Sequence, residues 1–324
     1  MQVVLLSGGS GKRLWPITGE ENAKQFLRIL PGGESMLQRV VRQLRGAGLA
    51  ENITVVTGAA QRAQVLEQLG ADTVQLITEP ARRGTFSAIA LACAYLHFAR
   101  GCSPDEHILV LPVDSYVDDD YFALLASLDD ALTTHASADM ILVGAKPTYP
   151  SEKYGYIVPA SGEDVPAVLR FREKPRERDA AALIAQGALW NCGVFAFRLQ
   201  TLLAQSRRRM DYTSYTQVRT SYEELDAGSL DKVVLEQPGI TARVLRYGGA
   251  WMDIGTWNTL ADVLSADSFG NVRMSEDCRR TQVLNTTQLP VVVMGAKDMV
   301  VVVSEQGILV ADKVRSSYVL EMLD

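Results

Sequence analysis

The sequence has few of the residues that build disulfides and zinc centres. It contains four cysteines and three histidines in 324 residues. The cysteines are Cys93, Cys102, Cys192 and Cys278, and they include no C-x-x-C pair, so we expect reduced thiols in a cytoplasmic protein. The histidines are scattered along the chain, which argues against a histidine-based zinc site.

The chain also lacks the features of membrane and nucleic-acid-binding proteins. No apolar run approaches the roughly 20 residues that a bilayer-spanning helix needs, and no basic segment precedes an apolar run at the N-terminus. We therefore expect no membrane span and no signal peptide. The formal net charge of -6 disfavours non-specific binding to nucleic acid, although a few local cations suffice to bind a nucleotide.

A glycine-rich turn near the N-terminus is the first segment that suggests a function. Residues 3–6, Val-Val-Leu-Leu, are typical of a short buried strand, and residues 7–13 continue as Ser-Gly-Gly-Ser-Gly-Lys-Arg. Gly8, Gly9 and Gly11 permit positive φ angles and let a ligand approach the backbone closely. Successive backbone N–H groups in such a turn form an anion-binding concavity. We interpret the segment as a phosphate-binding loop, with a plain strand-to-helix turn as the alternative.

Two well-known phosphate loops do not fit this turn. A Walker A loop that ended at its Gly-Lys pair would have glycine at position 6 and Ser or Thr at position 13, where this chain has Leu6 and Arg13. The dinucleotide fingerprint would have its third glycine at position 14, where this chain has Leu14. The loop therefore belongs to another class.

Strands and helices alternate over the first half of the chain. This alternation, with short connections, predicts a doubly wound, mostly parallel, Rossmann-like α/β sheet, which binds ligands at the carboxyl ends of its strands. We predict strands at 3–6, 53–57, 74–77, 108–114 and 140–144, and helices near 35–49, 60–69, 87–98 and 119–135. After residue 150 we predict strands at 155–158, 168–171 and 190–198, helices near 179–187, 200–206 and 256–265, and an irregular polar stretch near 207–230.

The pattern changes again from about residue 268 onward. Short β-rich runs at 291–294, 300–303 and 308–310 are separated by polar turns, a pattern that indicates a small β domain. We predict a catalytic domain over 1–265 and a small β-rich C-terminal domain over 266–324. Such apolar strands in so small a domain need cover from the main domain or a second subunit, so we expect a homodimer.

Several motifs in order along the chain carry a family resemblance. Gly-Gly-x-Gly-x-Arg-Leu at 8–14, Trp-Pro at 15–16 and Lys-Gln-Phe at 24–26 resemble the signature of sugar-1-phosphate nucleotidyltransferases. The Leu-Trp-Pro and Lys-Gln-Phe elements are similar to those of the mannose-1-phosphate guanylyltransferase branch. Leu-Pro-x-Asp at 111–114 and Trp-x-Asp-x-Gly-x-Trp at 251–257 match further family motifs. The short C-terminal segment leads us to expect a monofunctional form, and the resemblance suggests a short β-helix for its β-rich part.

The resemblance implies a reaction and a set of residues for it. It implies that a sugar 1-phosphate attacks the α-phosphorus of GTP, releasing pyrophosphate, with Mg²⁺ as cofactor. Asp114 and Asp253 would bind the metal; Arg13 would bind the β- and γ-phosphates, Lys24 the α-phosphate and Lys174 the sugar phosphate. The nucleotide-binding residues implied by the resemblance are Leu6, Ser7, Gly8, Gly9, Gly11, Arg83 and Thr85.

Three further segments resemble the sugar-binding part of the family. They are Tyr-Gly-Tyr-Ile at 154–157, Phe-x-Glu-Lys-Pro at 171–175 and Trp-Asn-x-Gly-x-Phe at 190–195. Cys192 replaces a serine in the last of these, and we interpret it as a packed residue rather than a nucleophile. The resemblance assigns Gly155, Tyr156, Glu173, Lys174 and Asn191 to sugar-phosphate binding.

Some departures from the family pattern keep other readings open. Ala23 stands where the family usually has proline, and Gly84, Phe86 and Ser87 replace common residues near the expected nucleotide site. Guanine preference thus rests on the resemblance alone, and heptose 1-phosphate, glucose 1-phosphate or another nucleotide is an alternative. A non-catalytic nucleotide-sugar sensor is a second alternative. A glycosyltransferase ranks third, because no Asp-x-Asp motif occurs around Asp114.

Overall fold

Strand β1 (Gln2–Ser7) lies inside a mixed nine-stranded sheet in a computed structural model of the protein. The structure describes residues 1–9, 11–19, 22–30, 32–49, 51–71, 73–264 and 266–323. In that part of the chain, no helix combines the length and the apolar composition needed to cross a bilayer.

The strands of the first 253 residues form the central sheet and a separate two-stranded ribbon. They are β2 (Ile53–Gly58), β3 (Gln75–Glu79), β4 (His107–Pro112), β5 (Ser115–Val117), β6 (Met140–Ala145), β7 (Tyr156–Pro159), β8 (Val168–Arg172), β9 (Leu189–Arg198), β10 (Ala242–Tyr247) and β11 (Trp251–Asp253). The sheet order is β10-β6-β9-β4-β1-β2-β3, with β7 beside β9 and β8 beside β7. Strands β4, β1, β2 and β3 are parallel, as are β6 and β10, whereas β9 is antiparallel to both its neighbours. The predicted mostly parallel α/β sheet is confirmed.

Helices cover both faces of this sheet. They are α1 (Met36–Gly46), α2 (Arg62–Leu69), α3 (Thr85–Ala94), α4 (Asp119–Ala126), α5 (Leu128–Thr134), α6 (Glu177–Ala185), α7 (Leu199–Arg207), α8 (Tyr215–Thr220) and α9 (Trp257–Val263). Side chains alternate along β1, so Val3 and Leu5 pack in the layer that contains α1 and α4. Val4 packs in the opposite layer with α3.

Three local predictions need correction. The helix predicted near 119–135 is two helices, α4 and α5, because Ser127 interrupts it. The stretch near 207–230 is not wholly irregular, because its polar sequence includes α8, which Ser214 caps by accepting the N–H of Gln217. The three-residue strands β5 and β11 were not predicted, since so short a run has no readable periodicity.

Most of the C-terminal strands form a small stack of parallel turns, and the last strand is antiparallel to its neighbour. The strands are β12 (Ser268–Phe269), β13 (Val272–Met274), β14 (Gln282–Asn285), β15 (Val291–Val293), β16 (Met299–Ser304) and β17 (Gly307–Asp312), followed by a 3-10 helix at Arg315–Met322. Strands β12, β14 and β16 stack in parallel, β13 pairs in parallel with β15, and a parallel bridge joins Arg279 to Lys297. Successive parallel turns of this kind make a short β-helix. The predicted domain boundary falls at Ser265, which lies outside the described residues, so this boundary stays a prediction. The predicted homodimer also stays a prediction.

This C-terminal β unit packs directly on the segment after the glycine turn. Ser304 Oγ donates to the carbonyl of Pro16 at 2.6 Å. Gly307 lies against Trp15, where a Cβ would be 2.6 Å from the ring, and its φ of 154° also favours glycine. The backbone carbonyl of Trp15 accepts a hydrogen bond from Trp257 Nε1 at 2.8 Å. The β unit and α9 therefore support the segment that carries Arg13.

Candidate active site

Amide side chains hold the glycine turn at the carboxyl end of β1. Gln25 Nε2 donates to the carbonyls of Ser7 (3.1 Å) and Gly9 (3.3 Å), and Gln61 Nε2 also donates to Gly9 (3.1 Å). Because the N–H and C=O of a trans peptide point in opposite directions, the N–H of Gly8 points away from Gln25. This N–H is therefore free of the amide contacts that hold the turn, and phosphate binding by the turn, whose Ser10 lies outside the described residues, stays a prediction. Sequence reasoning assigned no role to Gln25, which is fully buried in the Lys-Gln-Phe motif.

The glycines of the turn fit closely around neighbouring side chains. Gly11 has a φ of 63°, and a Cβ there would be 2.8 Å from Lys24 Cβ. A Cβ at Gly8 would lie 3.0 Å from Glu79 Oε1, whereas one at Gly9 would meet no described atom within 4 Å. Gly8 and Gly11 therefore allow the turn to approach Glu79 and Lys24, and Gly9 leaves open space for a ligand.

The ribbon of β5 and β11 brings the two predicted metal ligands together. Its antiparallel register pairs Asp253 with Ser115, the residue after Asp114. The N–H of Ile254 also donates to the carbonyl of Asp114 at 3.3 Å. Two aspartates 139 positions apart in sequence (253 − 114) therefore lie side by side where β4 ends.

Lys24 lies between these two carboxylates. Its Nζ is 2.7 Å from Asp114 Oδ2, 3.5 Å from Asp253 Oδ1 and 2.9 Å from the carbonyl of Ile254. The residue is only 7% exposed. Burial alone would lower the pKa of Lys24, but the charges of Asp114 and Asp253 outweigh it and raise the pKa, so Lys24 is an ammonium at neutral pH.

The pKa values of the two carboxylates shift in opposite directions in this environment. Burial favours a higher pKa for Asp114, but the charge and hydrogen bond of Lys24 outweigh it and lower the pKa. For Asp253, burial and the negative charge of Asp114 together exceed the effect of Lys24 and raise the pKa. One ammonium thus only partly offsets the repulsion between two carboxylates, which favours an additional cation at this place.

The donor set fits a magnesium ion. Carboxylate oxygens are the ligands that Mg²⁺ prefers, and it commonly takes one or two from the protein and the rest from phosphates and waters. The side chains of Asp114 and Asp253 are about one-third exposed, at 34% and 31%, so a ligand can reach them. The described residues contain no group of three or more His, Cys, Asp or Glu side chains placed to hold a metal. A two-carboxylate site completed by substrate is therefore the arrangement that these residues suit.

Arg13 lies beside the same cluster, at the other end of the turn. It lies in a short 3-10 helix, Lys12–Leu14. A Cβ placed on Gly255 would lie 3.0 Å from a guanidinium nitrogen of Arg13. The same Cβ would lie 3.4 Å from Asp253 Oδ1, so both side chains border Gly255. Arg13, Lys24, Asp114 and Asp253, predicted from four separate motifs, thus form one cluster.

A second cluster contains most of the predicted sugar-site residues. Asn191 Nδ2 donates to Asp231 Oδ1 at 2.8 Å, and Lys174 Nζ donates to Glu173 Oε1 at 2.7 Å. A Cβ at Gly155 would lie 2.7 Å from Glu173 Oε2 and 3.3 Å from Asn191 Cβ. In the sequence Asp231 lies in a polar segment typical of a surface turn, but the structure buries this residue beside Asn191.

The side chains of Tyr156 and Cys192, in this region, are buried in the core. The resemblance assigns Tyr156 to sugar-phosphate binding, but its side chain is fully buried. Its hydroxyl donates to the carbonyl of Ser151 and accepts from Trp190 Nε1, so only its backbone can face a ligand, and its part in sugar-phosphate binding stays a prediction. Cys192 is buried and packed, as predicted. Burial raises the pKa of its thiol to about 12, which disfavours the thiolate that a nucleophile needs.

Arg83 and Thr85 hold a loop rather than facing open space. The Arg83 guanidinium donates twice to the carbonyl of Leu225, at 3.2 and 2.8 Å. Thr85 Oγ1 accepts the N–H of Leu230 at 2.9 Å. Both side chains therefore fix the segment before Asp231, and their predicted contact with nucleotide stays a prediction.

Asp231→Asn should stabilise the protein at alkaline pH. Burial and then the charge of Glu173 raise the pKa of Asp231 to about 6, although the hydrogen bond from Asn191 opposes them. Because the folded-state pKa is raised, the contribution of Asp231 to stability is present at low pH and is lost as pH rises through about 6. The variant should gain about 1–2 kcal/mol in the free energy of unfolding at pH 8, and progressively less towards pH 4. Urea denaturation at both pH values measures this, with Asp164→Asn as an exposed control. Lower stability of Asp231→Asn at pH 8 would contradict the assignment.

The comparisons with known proteins agree with this geometry. The nucleotidyl transferase family model matches residues 2–268. The chain is 32% identical to the mannose-1-phosphate guanylyltransferase of Escherichia coli (strain K12), over 96% of this chain and 70% of that protein. It is also 32% identical to the xanthan biosynthesis protein XanB of Xanthomonas campestris pv. campestris (strain B100), over 99% of this chain and 72% of XanB.

A solved structure shares the fold along almost the whole chain. It is a Thermus thermophilus protein described as a mannose-1-phosphate geranyltransferase, with 28% identity and a TM-score of 0.82. The alignment covers 99% of this chain and 98% of that one. Together, the family match and the identities show that the chain belongs to the nucleotidyl transferase family, in the mannose-1-phosphate guanylyltransferase branch.

Proposed function

We propose that this protein is a magnesium-dependent enzyme that converts GTP and α-D-mannose 1-phosphate into GDP-mannose and pyrophosphate. The observation that carries the proposal is the cluster of Arg13, Lys24, Asp114 and Asp253 beside the glycine turn. Two cations and two metal-binding carboxylates are what a reaction between two polyanions needs. The name of the Escherichia coli relative, mannose-1-phosphate guanylyltransferase, supports the sugar and the nucleotide.

Positioning and charge stabilisation account for the chemistry. The attacking oxygen of the sugar phosphate is already anionic, so the reaction needs no general base. The protein must hold two anionic substrates in line and stabilise charge on the α-phosphate. When bound, a magnesium ion held by Asp114 and Asp253 would neutralise phosphate charge. Lys24 stabilises the α-phosphate, and Arg13 binds the phosphates that leave.

The second cluster binds the sugar phosphate. Lys174 provides the positive charge for its phosphate, and its ammonium is more than half exposed. Glu173 accepts hydrogen bonds from sugar hydroxyls, while Asn191 can both donate and accept them. Asp231, which was not among the predicted site residues, orients Asn191 through their 2.8 Å hydrogen bond.

Glu79 supports a preference for guanine. Tyr222 donates its hydroxyl to Glu79 Oε2 at 2.7 Å, while Oε1 lies beside Gly8 of the phosphate loop. An ionised carboxylate only accepts hydrogen bonds, and the edge of guanine presents N–H donors at N1 and N2. Adenine has an acceptor at N1, so a carboxylate near the base would discriminate against ATP.

Glu79→Gln should therefore weaken nucleotide discrimination. The amide adds a donor where guanine needs an acceptor, so the ratio of kcat/KM for GTP to that for ATP should fall by about tenfold or more. Steady-state kinetics with both nucleotides measure the ratio, and Glu67→Gln on the exposed face of α2 is the matched control. An unchanged ratio would remove Glu79 from base recognition.

Pyrophosphate release from a matrix of substrates tests the proposal. GTP, ATP, UTP, CTP and dTTP are each combined with mannose 1-phosphate, glucose 1-phosphate and a heptose 1-phosphate. We expect the fastest release from GTP with mannose 1-phosphate, together with formation of GDP-mannose. Release with a different pair would favour a related transferase. No release from any pair, with retained binding of GDP-mannose, would favour a nucleotide-sugar sensor.

A further inference from the structure

A cavity of about 450 Å³ lies against the metal-ligand cluster, and two cations face it. Arg13, Asp253 and Lys153 all line this cavity. The rest of its wall comes from the turn of residues 149–154, the start of α6, the start of α9 and Tyr318 of the C-terminal 3-10 helix. Its volume lies in the range of small-molecule binding sites. Lys153 belongs to none of the motifs that suggested the family.

Neither cation has an ion-pair partner in the described part of the chain. Lys24 and Lys174, by contrast, are paired with carboxylates at 2.7 Å. Burial and then the positive charge of Arg13 lower the pKa of Lys153, while Asp253 opposes the change. Because both side chains line one cavity, the two cations repel each other, and a multivalent anion between them would remove that repulsion.

Two other carboxylates line the cavity, but both serve the helix α6. Glu152 Oε1 accepts the N–H of Glu177 at 2.9 Å, at the first residue of this helix. Glu177 itself lies in the first turn, where a negative charge stabilises the helix. Glu152 thus has a partner on the helix, which leaves Lys153 available to a ligand.

The backbone that carries Lys153 is held by buried aromatic side chains. The N–H of Lys153 donates to Ser151 Oγ at 3.1 Å, and the N–H of Ser151 donates to the hydroxyl of Tyr156 at 2.8 Å. The neighbouring Tyr154 packs edge-on against Trp190 and Trp251, with ring centroids 5.0 and 5.2 Å apart. A rigid turn therefore places a flexible, exposed lysine side chain at the cavity.

We propose that Lys153 and Arg13 together bind the two terminal phosphates of the nucleotide, which leave as pyrophosphate. This subsite rests on the proposed function and extends it by one residue. In the reaction, a bond forms between the sugar phosphate oxygen and the α-phosphorus. The bond from the α-phosphorus to its bridging oxygen breaks, and its electron pair stays on pyrophosphate. Two cations at the departing group stabilise this charge.

Binding of pyrophosphate to Lys153→Met tests the subsite directly. Isothermal titration of sodium pyrophosphate with magnesium chloride should give a Kd about tenfold higher than for the native chain, because one charge-assisted contact is lost. In the reverse reaction, the KM for pyrophosphate should rise similarly, while the KM for GDP-mannose changes little. Lys153→Arg keeps the charge and should restore both values, and the remote, exposed Lys297→Met should match the native chain.

The outcomes separate the subsite from the proposed function. Unchanged pyrophosphate binding in Lys153→Met, with weaker binding in Arg13→Met, would overturn the role of Lys153 and leave the function intact. A rise in the KM for mannose 1-phosphate instead of pyrophosphate would also overturn it, because the cavity would then belong to the sugar. If the native chain forms no GTP from GDP-mannose and pyrophosphate, the proposed function fails, while the titration still decides the subsite.

Discussion

Lys24→Met should reduce turnover by about a thousandfold, the largest effect that we expect from a single substitution. The ammonium of Lys24 lies 2.7 and 3.5 Å from the two carboxylates that we propose as metal ligands. In the proposed reaction it also stabilises the α-phosphate. Methionine keeps the length and packing of the side chain but removes its charge. The loss of turnover therefore reports the missing charge and not a cavity left by a shorter side chain.

The same substitution should destabilise the protein in magnesium-free buffer. It removes the ammonium between Asp114 and Asp253 and leaves Arg13 as the remaining cation of the cluster. Removing one partner of a fully buried pair costs about 3–5 kcal/mol, but these carboxylates are about one-third exposed, so solvent screening reduces the expected loss to about 1–3 kcal/mol. Because a divalent cation can replace the missing charge, added magnesium chloride should stabilise Lys24→Met more than the native chain.

Urea denaturation with and without magnesium chloride measures this difference without reference to activity. Lys24→Arg is the matched control, since it keeps a positive charge between the carboxylates and should remain close to the native stability. A Lys24→Met protein that is as stable as the native chain, or that gains no more from magnesium, would contradict the role of Lys24 as internal counter-ion.

Much of the catalytic cluster was predictable from the sequence. The strand ending before Asp114 and the glycine turn after β1 follow from short apolar runs interrupted by polar residues. Because parallel strands end at one edge of a sheet, those two segments were expected at the same edge, and the pairing of β1 with β4 makes them neighbours. Asp253 came from the family motif alone, since the β5–β11 ribbon that delivers it has strands of only three residues.

The sugar site was less predictable because its residues depend on long-range contacts. Tyr156 pairs with Trp190 across β7 and β9, and cross-strand partners of this kind share one face of the sheet. That face is the buried aromatic cluster, which the motif itself does not reveal. Asp231 lies in a polar segment that looks like a surface turn until the contacts of Arg83 and Thr85 bring it to Asn191.

Gly155→Ala should reduce kcat/KM for mannose 1-phosphate by about a hundredfold while leaving the KM for GTP nearly unchanged. A Cβ at Gly155 would lie 2.7 Å from Glu173 Oε2 and 2.8 Å from Phe171 Cζ. Phe171 is packed in the core and cannot yield easily, so the carboxylate of Glu173 must move. That carboxylate both accepts from Lys174 and, in the proposed site, binds the sugar.

The effect on the sugar substrate alone is what distinguishes this prediction from general destabilisation. Gly46→Ala is the matched control, because a Cβ at this helical glycine meets no described atom within 4 Å. Both variants should keep a native thermal transition, and only Gly155→Ala should lose sugar-dependent turnover. Equal losses toward GTP and mannose 1-phosphate would mean that Gly155 serves the fold rather than the sugar site. Since the clash is with Glu173, the size of the sugar-specific loss also measures how strongly the carboxylate position controls recognition.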